Sequence, residues 1–116
     1  MPVKSDEILE VTLKRTGLPV KPYEYKGTKA EYIIYNEEDE RGVGHADDRP
    51  QAESIWWQVH LFTPVTYDYR TMKRKIRDML YGAGFSVGAI STIYESDDTE
   101  TVHVVISCNM LEEMEE

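Results

Sequence analysis

Two adjacent tryptophans in residues 54–63 place the strongest constraint on how this chain can fold. The segment, SIWWQVHLFT, is rich in aromatic and β-branched residues and therefore predicts a β-strand. Successive strand side chains point to opposite faces of a sheet, so Trp56 and Trp57 cannot enter the same core. The purer apolar face, which we assign to the core, consists of Ile55, Trp57, Val59 and Leu61. Trp56 and Phe62 then lie on the opposite, mixed face.

Two helices are predicted, one on each side of this strand in the sequence. Ser5 is a candidate N-cap for a first helix that ends near Arg15, before the glycine and proline of TGLP. Apolar residues recur at helical spacing over residues 69–83 and predict a second amphipathic helix. Thr66 or Asp68 can cap its start, and Gly84 suits the left-handed position that follows its end.

Further β-rich runs complete the pattern and predict the fold class. Residues 31–36 predict a strand, and residues 86–95 and 100–110 predict a hairpin joined by the polar turn SDDT. With 116 residues the chain is long enough for one domain with its own core. We therefore predict a single α+β domain, with a mainly antiparallel sheet of four to five strands and both helices packed on one face.

This arrangement leaves the sheet face that carries Trp56 and Phe62 without a helix. Monomers rarely display large apolar patches without a use, so we expect copies of the chain to associate there. Two alternatives stay open, because a long loop could fold back over Trp56 or the residue could lie under the first helix.

The segment 37–53, EEDERGVGHADDRPQAE, is predicted to be a long flexible loop because it holds almost no large apolar residue. Long connections inside compact domains are often functional, so Asp47, Asp48 and Arg49 are candidate partner contacts. A solvated hairpin arm is the alternative interpretation. The acidic tail at 111–116, LEEMEE, is expected to fray.

A second candidate surface is the basic outer face of the second predicted helix, which carries Lys73, Arg74 and Arg77. The chain has a net charge of -9, so such a cluster of cations is unusual in it. An acidic protein surface is one partner that would fit, and the alternatives are a simple solvated face or nucleic acid. The overall charge disfavours nucleic acid, because that binding depends on neutralising phosphates.

The sequence offers no pattern typical of catalysis or metal binding, so neither catalytic residues, metal ligands nor a cofactor are predicted. His45, His60, His103 and Cys108 lack zinc-ligand spacing, and the serines lack a nucleophile-elbow context. A single cysteine cannot form an internal disulfide, which favours a reducing cytoplasm. No apolar run approaches the roughly 20 residues that span a bilayer, so no membrane contact is expected.

Five segments together resemble the tail-terminator or tail-completion proteins of bacteriophage morphogenesis clusters. They are TGLPV, EYIIYNEED, WWQVHLFTP, KRKIRDMLYGAGF and YESDDTETVHVVISC, and the resemblance extends from about Ile8 to Cys108. It implies an α+β protein without catalytic residues that assembles into a ring, typically a hexamer. Such a ring caps the tail tube and joins it to the head connector.

The resemblance also implies partners and a location. These are the chain itself, the tail tube protein and the connector protein, in the tail or neck of a virion assembled in the host bacterial cytoplasm. Trp56 and Phe62 would face neighbouring subunits, while the 37–53 segment and the basic helix would face the tube or connector. Genome DNA would pass through an acidic bore without specific binding. A head-completion protein of the same cluster and a small non-phage adaptor are the alternatives.

Overall fold

The computed structural model describes residues 4–46, 49–95 and 100–113, with side chains throughout these ranges except for residues 41–51. The elements in chain order are α1 (Ser5–Lys14), β1 (Val20–Pro22), β2 (Tyr32–Ala46), β3 (Arg49–Pro64), α2 (Tyr69–Gly82), β4 (Ser86–Glu95) and β5 (Thr101–Glu113). The five strands form one sheet in the order β1-β2-β3-β5-β4. Only the pair β1 and β2 is parallel. The predicted α+β domain is therefore confirmed.

The core lies between one face of this sheet and the two helices, which also contact each other. The alternation predicted for β3 is confirmed, since Ile55, Trp57, Val59 and Leu61 are all buried. β5 supplies the matching apolar side chains, and the helices contribute a smaller set. These buried residues are Val102, Val104, Ile106, Cys108, Leu9, Leu13, Ile76 and Leu80. Both helices therefore pack on the same sheet face, as the sequence predicts.

The ends of α2 follow from local signals in the sequence. The Asp68 carboxylate accepts hydrogen bonds from the Thr71 backbone N–H at 3.2 Å and from its hydroxyl at 2.7 Å. These bonds from Thr71 hold the pKa of Asp68 below its usual value. Gly84, with φ +99°, takes the left-handed conformation beyond the last turn that glycine adopts without strain. The predicted cap and terminator are both confirmed.

The start of α1 corrects the prediction that Ser5 is its N-cap. The N-cap residue is Lys4, whose side chain makes no capping bond, and Ser5 is the first helical residue. The Ser5 backbone N–H donates to the Glu112 carboxylate of β5 at 3.0 Å, and its hydroxyl donates to the same oxygen. A carboxylate from a distant strand thus satisfies the helix start, where negative charge is also favourable.

The same contact corrects the expectation that the chain frays from residue 111 onward. β5 continues through Glu113, and its last residues pair with β3 up to Ala52 opposite Glu113. Acidic side chains do not prevent pairing here, because Glu112 bonds to α1 and the strand completes its ladder with β3.

The prediction of a long flexible loop at 37–53 is wrong and the alternative of a hairpin arm is confirmed, because residues 37–46 and 49–53 form the distal halves of β2 and β3. The two strands pair from Tyr32 opposite Phe62 to Ala46 opposite Arg49, with an irregularity between Glu37 and Asp39. Backbone pairing does not require apolar side chains where a hairpin extends into solvent. The polar composition of the segment therefore does not exclude strands. The molecule is accordingly elongated, measuring 55 × 25 × 23 Å. Asp47 and Asp48 lie outside the described residues, and Arg49 is the first residue of β3.

Candidate interaction surfaces

The sheet face opposite the helices carries a row of stacked rings, which we call the aromatic row: Tyr25, Tyr32, Phe62 and His103. Ring centroids are 4.5 Å apart for Tyr25 and Tyr32, 5.0 Å for Tyr32 and Phe62, and 4.2 Å for Phe62 and His103. The last three residues are directly opposite one another on β2, β3 and β5. Cross-strand aromatic pairs of this kind stabilise a sheet and stiffen its surface.

A hydrogen-bonded chain runs beside the aromatic row. His60 Nδ1 is 2.8 Å from His103 Nε2, and His60 Nε2 is 2.7 Å from the Asn36 side-chain oxygen. The Asn36 amide in turn donates to the Gln58 oxygen at 3.2 Å. Because an amide oxygen only accepts, His60 carries its proton on Nε2, and its Nδ1 accepts from His103.

This pairing favours two neutral imidazoles. Burial lowers the pKa of His60, and the neighbouring His103 lowers it further. Burial also lowers the pKa of His103, with Glu95 acting in the opposite direction. No group of three or more metal-ligating side chains is found among the described residues. The two histidines therefore form a polar link between β3 and β5.

Trp56 lies on the same helix-free face and is half-buried, as is Phe62. The indole of Trp56 extends towards Gly88 of β4, where an added Cβ would lie 3.5 Å from the Trp56 ring and 3.8 Å from the Ser107 side chain. The Trp56 ring thus lies across the sheet surface and is partly covered by its own neighbours. The alternative that it lies under the first helix is excluded, because α1 packs on the opposite face.

An acidic surface lies on the helix side of the sheet, at the base of the distal hairpin. Glu37 and Glu40 of β2 and Glu53 of β3 line a cavity of about 350 Å³ together with Glu112. The pKa of Glu53 is raised, first by a hydrogen bond shared with Glu40, then by burial, and also by the charges of Glu40, Glu112 and Glu37. Several carboxylates therefore repel one another at this position.

The cations of α2 are divided between two surfaces. Lys73 extends towards β4, where its Nζ donates to the Thr92 hydroxyl at 2.9 Å, and Arg77 follows one turn later. Arg77 Nε also bonds to Asp78 at 3.0 Å. Arg74 faces elsewhere and, with Arg15, lines a groove of about 870 Å³ along the outer side of the helices. Lys73 and Arg74 of the predicted trio therefore face different surfaces, and Arg77 bonds to Asp78, which lines the groove beside Arg74.

Both lateral borders of the sheet include backbone without a strand neighbour in the described part of the chain. β1 pairs only with residues Ile33, Ile34 and Tyr35 of β2, so β2 continues past its only described neighbour on that side. β4 forms the other border over Ser86–Glu95, with an irregularity between Val87 and Ile90. Ile93 is 45 % exposed and Tyr94 is 57 % exposed at this border.

The sequence predicts the helix-free face but neither the sheet borders nor the contact between Ser5 and Glu112. Strand order and register decide both, and no local sequence signal encodes either. No protein-family model and no curated protein sequence matches this chain. Among the described residues, no helix combines the length and the apolar character needed to cross a membrane.

Proposed function

We propose that this chain is a bacteriophage assembly protein whose copies form a ring that caps the tail tube, ends its polymerisation and joins the tail to the head. The observation that carries the proposal is the helix-free sheet face, which bears Trp56 and, further along the strands, the stacked aromatic row. A broad surface of this kind suits binding to another protein better than it suits enclosing a small substrate.

The chemistry of the described residues also favours binding over catalysis. Cys108 is buried, and burial raises the pKa of its thiol to about 12, so it is not available as a nucleophile. The two described histidines, His60 and His103, bond to each other rather than to a nucleophile or a carboxylate. The buried thiol and the paired imidazoles therefore support a binding role.

The proposed mechanism is stoichiometric assembly. A ring binds the end of a tube, blocks the addition of further tube subunits and presents a new surface to the connector. The helix-free face, with Trp56 and Phe62, is the surface proposed for neighbouring copies. The distal hairpin and the groove beside Arg74 are the surfaces proposed for the tube and the connector. An overall charge of -9 repels phosphate and so favours free passage of DNA through the bore.

Negative-stain imaging of the purified protein, alone and mixed with tail tubes, tests this function. We expect rings in the absence of tubes and a ring at one end of each tube when both are present. Binding to emptied heads but not to tubes would instead identify a connector of the same gene cluster. A protein that stays monomeric and binds neither structure would contradict the proposal and favour the adaptor alternative.

The variant Trp56→Asp tests the surface assigned to neighbouring copies. We expect it to fold, because Trp56 lies outside the core, and to stop forming rings, because a carboxylate replaces apolar contact area. Val11→Asp is the matched control, since Val11 is 66 % exposed on the helix side of the molecule. Equal assembly by both variants, measured by light scattering, would remove Trp56 from the contact between copies.

A further inference from the structure

We propose that neighbouring copies pack front to back, with the helix-free face of one copy against the outer side of α2 in the next. The inference rests on the proposed ring and names the surface that each helix-free face meets. Trp56 would contact Tyr81 at the centre of this junction. The carboxylates beside Trp56 would face the arginines that share the outer side of α2 with Tyr81.

The first surface is the part of the helix-free face around Trp56, which we call the Trp56 patch (Glu38, Asp39 and Trp56). Asp39 lies directly opposite Trp56 on β2, so both side chains belong to the same face. The irregularity in register between Glu37 and Asp39 allows Glu38 to reach this face as well, where its carboxylate accepts from the Ser107 hydroxyl at 3.2 Å. Acidic side chains therefore lie beside the half-buried ring of Trp56.

The second surface is the outer side of α2, which we call the α2 crest (Arg70, Arg74 and Tyr81). These residues recur at spacings of four and seven, so they lie on one side of the helix. The opposite side of α2 is buried through Ile76 and Leu80. All three crest residues are exposed, and Tyr81 keeps 55 % of its surface accessible. The α2 crest thus presents an aromatic ring and two positive charges.

The two surfaces are complementary in their chemistry. Each presents one large aromatic side chain, and tryptophan, tyrosine and arginine are the residue types that contribute most to binding energy at protein interfaces. The charge beside the ring is negative in the Trp56 patch and positive on the α2 crest. An arginine can donate two parallel hydrogen bonds to one carboxylate, which fixes the relative position of two surfaces as well as stabilising their contact. A second copy therefore supplies the opposite charge for each surface.

Contact between like surfaces is disfavoured by the same charges. Two Trp56 patches would bring their carboxylates together, and two α2 crests would bring their arginines together, so both pairings are opposed by repulsion. The Trp56 patch would repel the phosphates of a nucleic acid in the same way. The charges therefore favour a junction between two different surfaces of two copies.

The positions of the two surfaces decide the form of the assembly. The Trp56 patch lies on the helix-free side of the sheet and the α2 crest lies on the helix side, so they are on opposite sides of the molecule. Each added copy leaves one surface of each kind exposed until the series closes on itself, and a ring results when the rotation between copies divides a full turn. The distal hairpin and the part of the groove near Arg15 are left for the tube and the connector.

Charge reversal on each side of the junction tests the inference. One variant carries Arg70→Glu with Arg74→Glu, and the other carries Glu38→Lys with Asp39→Lys. We expect each variant alone to remain folded, because these side chains lie outside the core, and to assemble with a dissociation constant raised at least about tenfold. Light scattering measures the assembly, and circular dichroism with thermal unfolding confirms the fold. If the second variant unfolds, Glu38→Lys alone replaces it, with the same expected direction.

The sharper test is rescue. An equimolar mixture of the two variants should regain rings in which they alternate, since each Trp56 patch then meets a crest of opposite charge. A chain with all the substitutions of both variants should regain rings alone for the same reason. The first variant makes the chain more negative and the second makes it less negative, so a general effect of net charge would not weaken the assembly of both.

Two controls separate this junction from other effects of charge. Lys14→Glu makes the same charge change as Arg70→Glu at an exposed position of α1, so only Arg70→Glu should weaken assembly. Lys14 has one exposed ion pair, with Glu10 at 3.9 Å, and its loss should have little effect on stability. Arg70→Lys with Arg74→Lys keeps the positive charge of the α2 crest and should retain rings.

The outcomes separate this inference from the proposed function. Rings that persist unchanged in both charge variants would overturn the front-to-back junction and leave the capping function standing. Loss of rings without rescue in the mixture and in the fully substituted chain would also overturn the junction. Wild-type rings that respond to charge as described but do not cap tubes would overturn the capping function and leave the junction standing. A wild-type chain that forms no ring would overturn both proposals.

Discussion

At the scale of single residues, Trp56 and Trp57 show how one strand supports two different surfaces. Trp57 is 8 % exposed, and its indole Nε1 donates to the Ser5 hydroxyl at 2.9 Å. Trp56 points the other way and rests on the sheet near Gly88. Alternation along β3 predicts this division from the sequence. It does not predict how far each indole is covered, because that depends on residues from β4, β5 and α1.

We predict that the two tryptophans differ in their contributions to stability. Trp57→Ala should lower the free energy of unfolding by about 3 to 5 kcal/mol, because it leaves a cavity in the core. Trp56→Ala should cost clearly less, since part of its ring is already in contact with water. Urea unfolding of the two variants measures the difference. Equal losses would contradict the assignment of Trp56 to the helix-free face.

The histidine pair leads to a prediction about pH. The pKa values of His60 and His103 are both lowered in the folded chain, whereas unfolded histidine titrates near 6.5. The unfolded chain therefore binds more protons in this range, so stability is present above about pH 6.5 and is lost as the pH falls through the lowered values. Urea midpoints measured from about pH 7.5 to 5 should decrease accordingly.

Replacing both histidines provides the control for this effect. The variant His60→Gln with His103→Gln should show a flatter dependence of the urea midpoint on pH over the same range, because neither glutamine titrates. A slope equal to that of the wild type would show that the pair does not respond to acid as described.

At the scale of elements, local signals predicted both helices and the alternating faces of β3 and β5. Asp68 caps the start of α2, and Gly84 follows its end. Both depend on residues next to them in the sequence, so the sequence alone predicts their roles. The sequence indicates the distal halves of β2 and β3 only as an alternative, because a hairpin in solvent carries no apolar pattern. The bond between Ser5 and Glu112 joins residues 107 positions apart, and only the register of β5 brings them together. The position of β4 at a border of the sheet depends in the same way on strand order.

We predict that Ser5 contributes strongly to the attachment of α1 to the sheet. Ser5→Ala should lower the free energy of unfolding by about 1 to 3 kcal/mol, because the buried Trp57 N–H and the Glu112 carboxylate each lose a partner. Ser91→Ala, at an exposed position of β4, is the matched control and should have little effect. Urea unfolding of both variants tests this, and equal losses would contradict it.

At the scale of the whole molecule, the chain presents several separate surfaces. One sheet face holds the core, the other holds the aromatic row, and the two lateral borders remain open in the described part of the chain. Acidic residues lie at the base of the distal hairpin, and Lys73 lies beside β4. The proposed function requires copies of the chain to associate into a closed ring, which forms only if the rotation between copies divides a full turn.

The mass of the purified chain in solution, measured by light scattering over a wide micromolar range, tests this central claim most directly. A closed ring predicts one assembled species, whose mass is a fixed multiple of 13.5 kDa and stops increasing as the concentration rises. A mass that stays at 13.5 kDa at every concentration would contradict the account, and continued growth with concentration would show that the copies do not close into a ring.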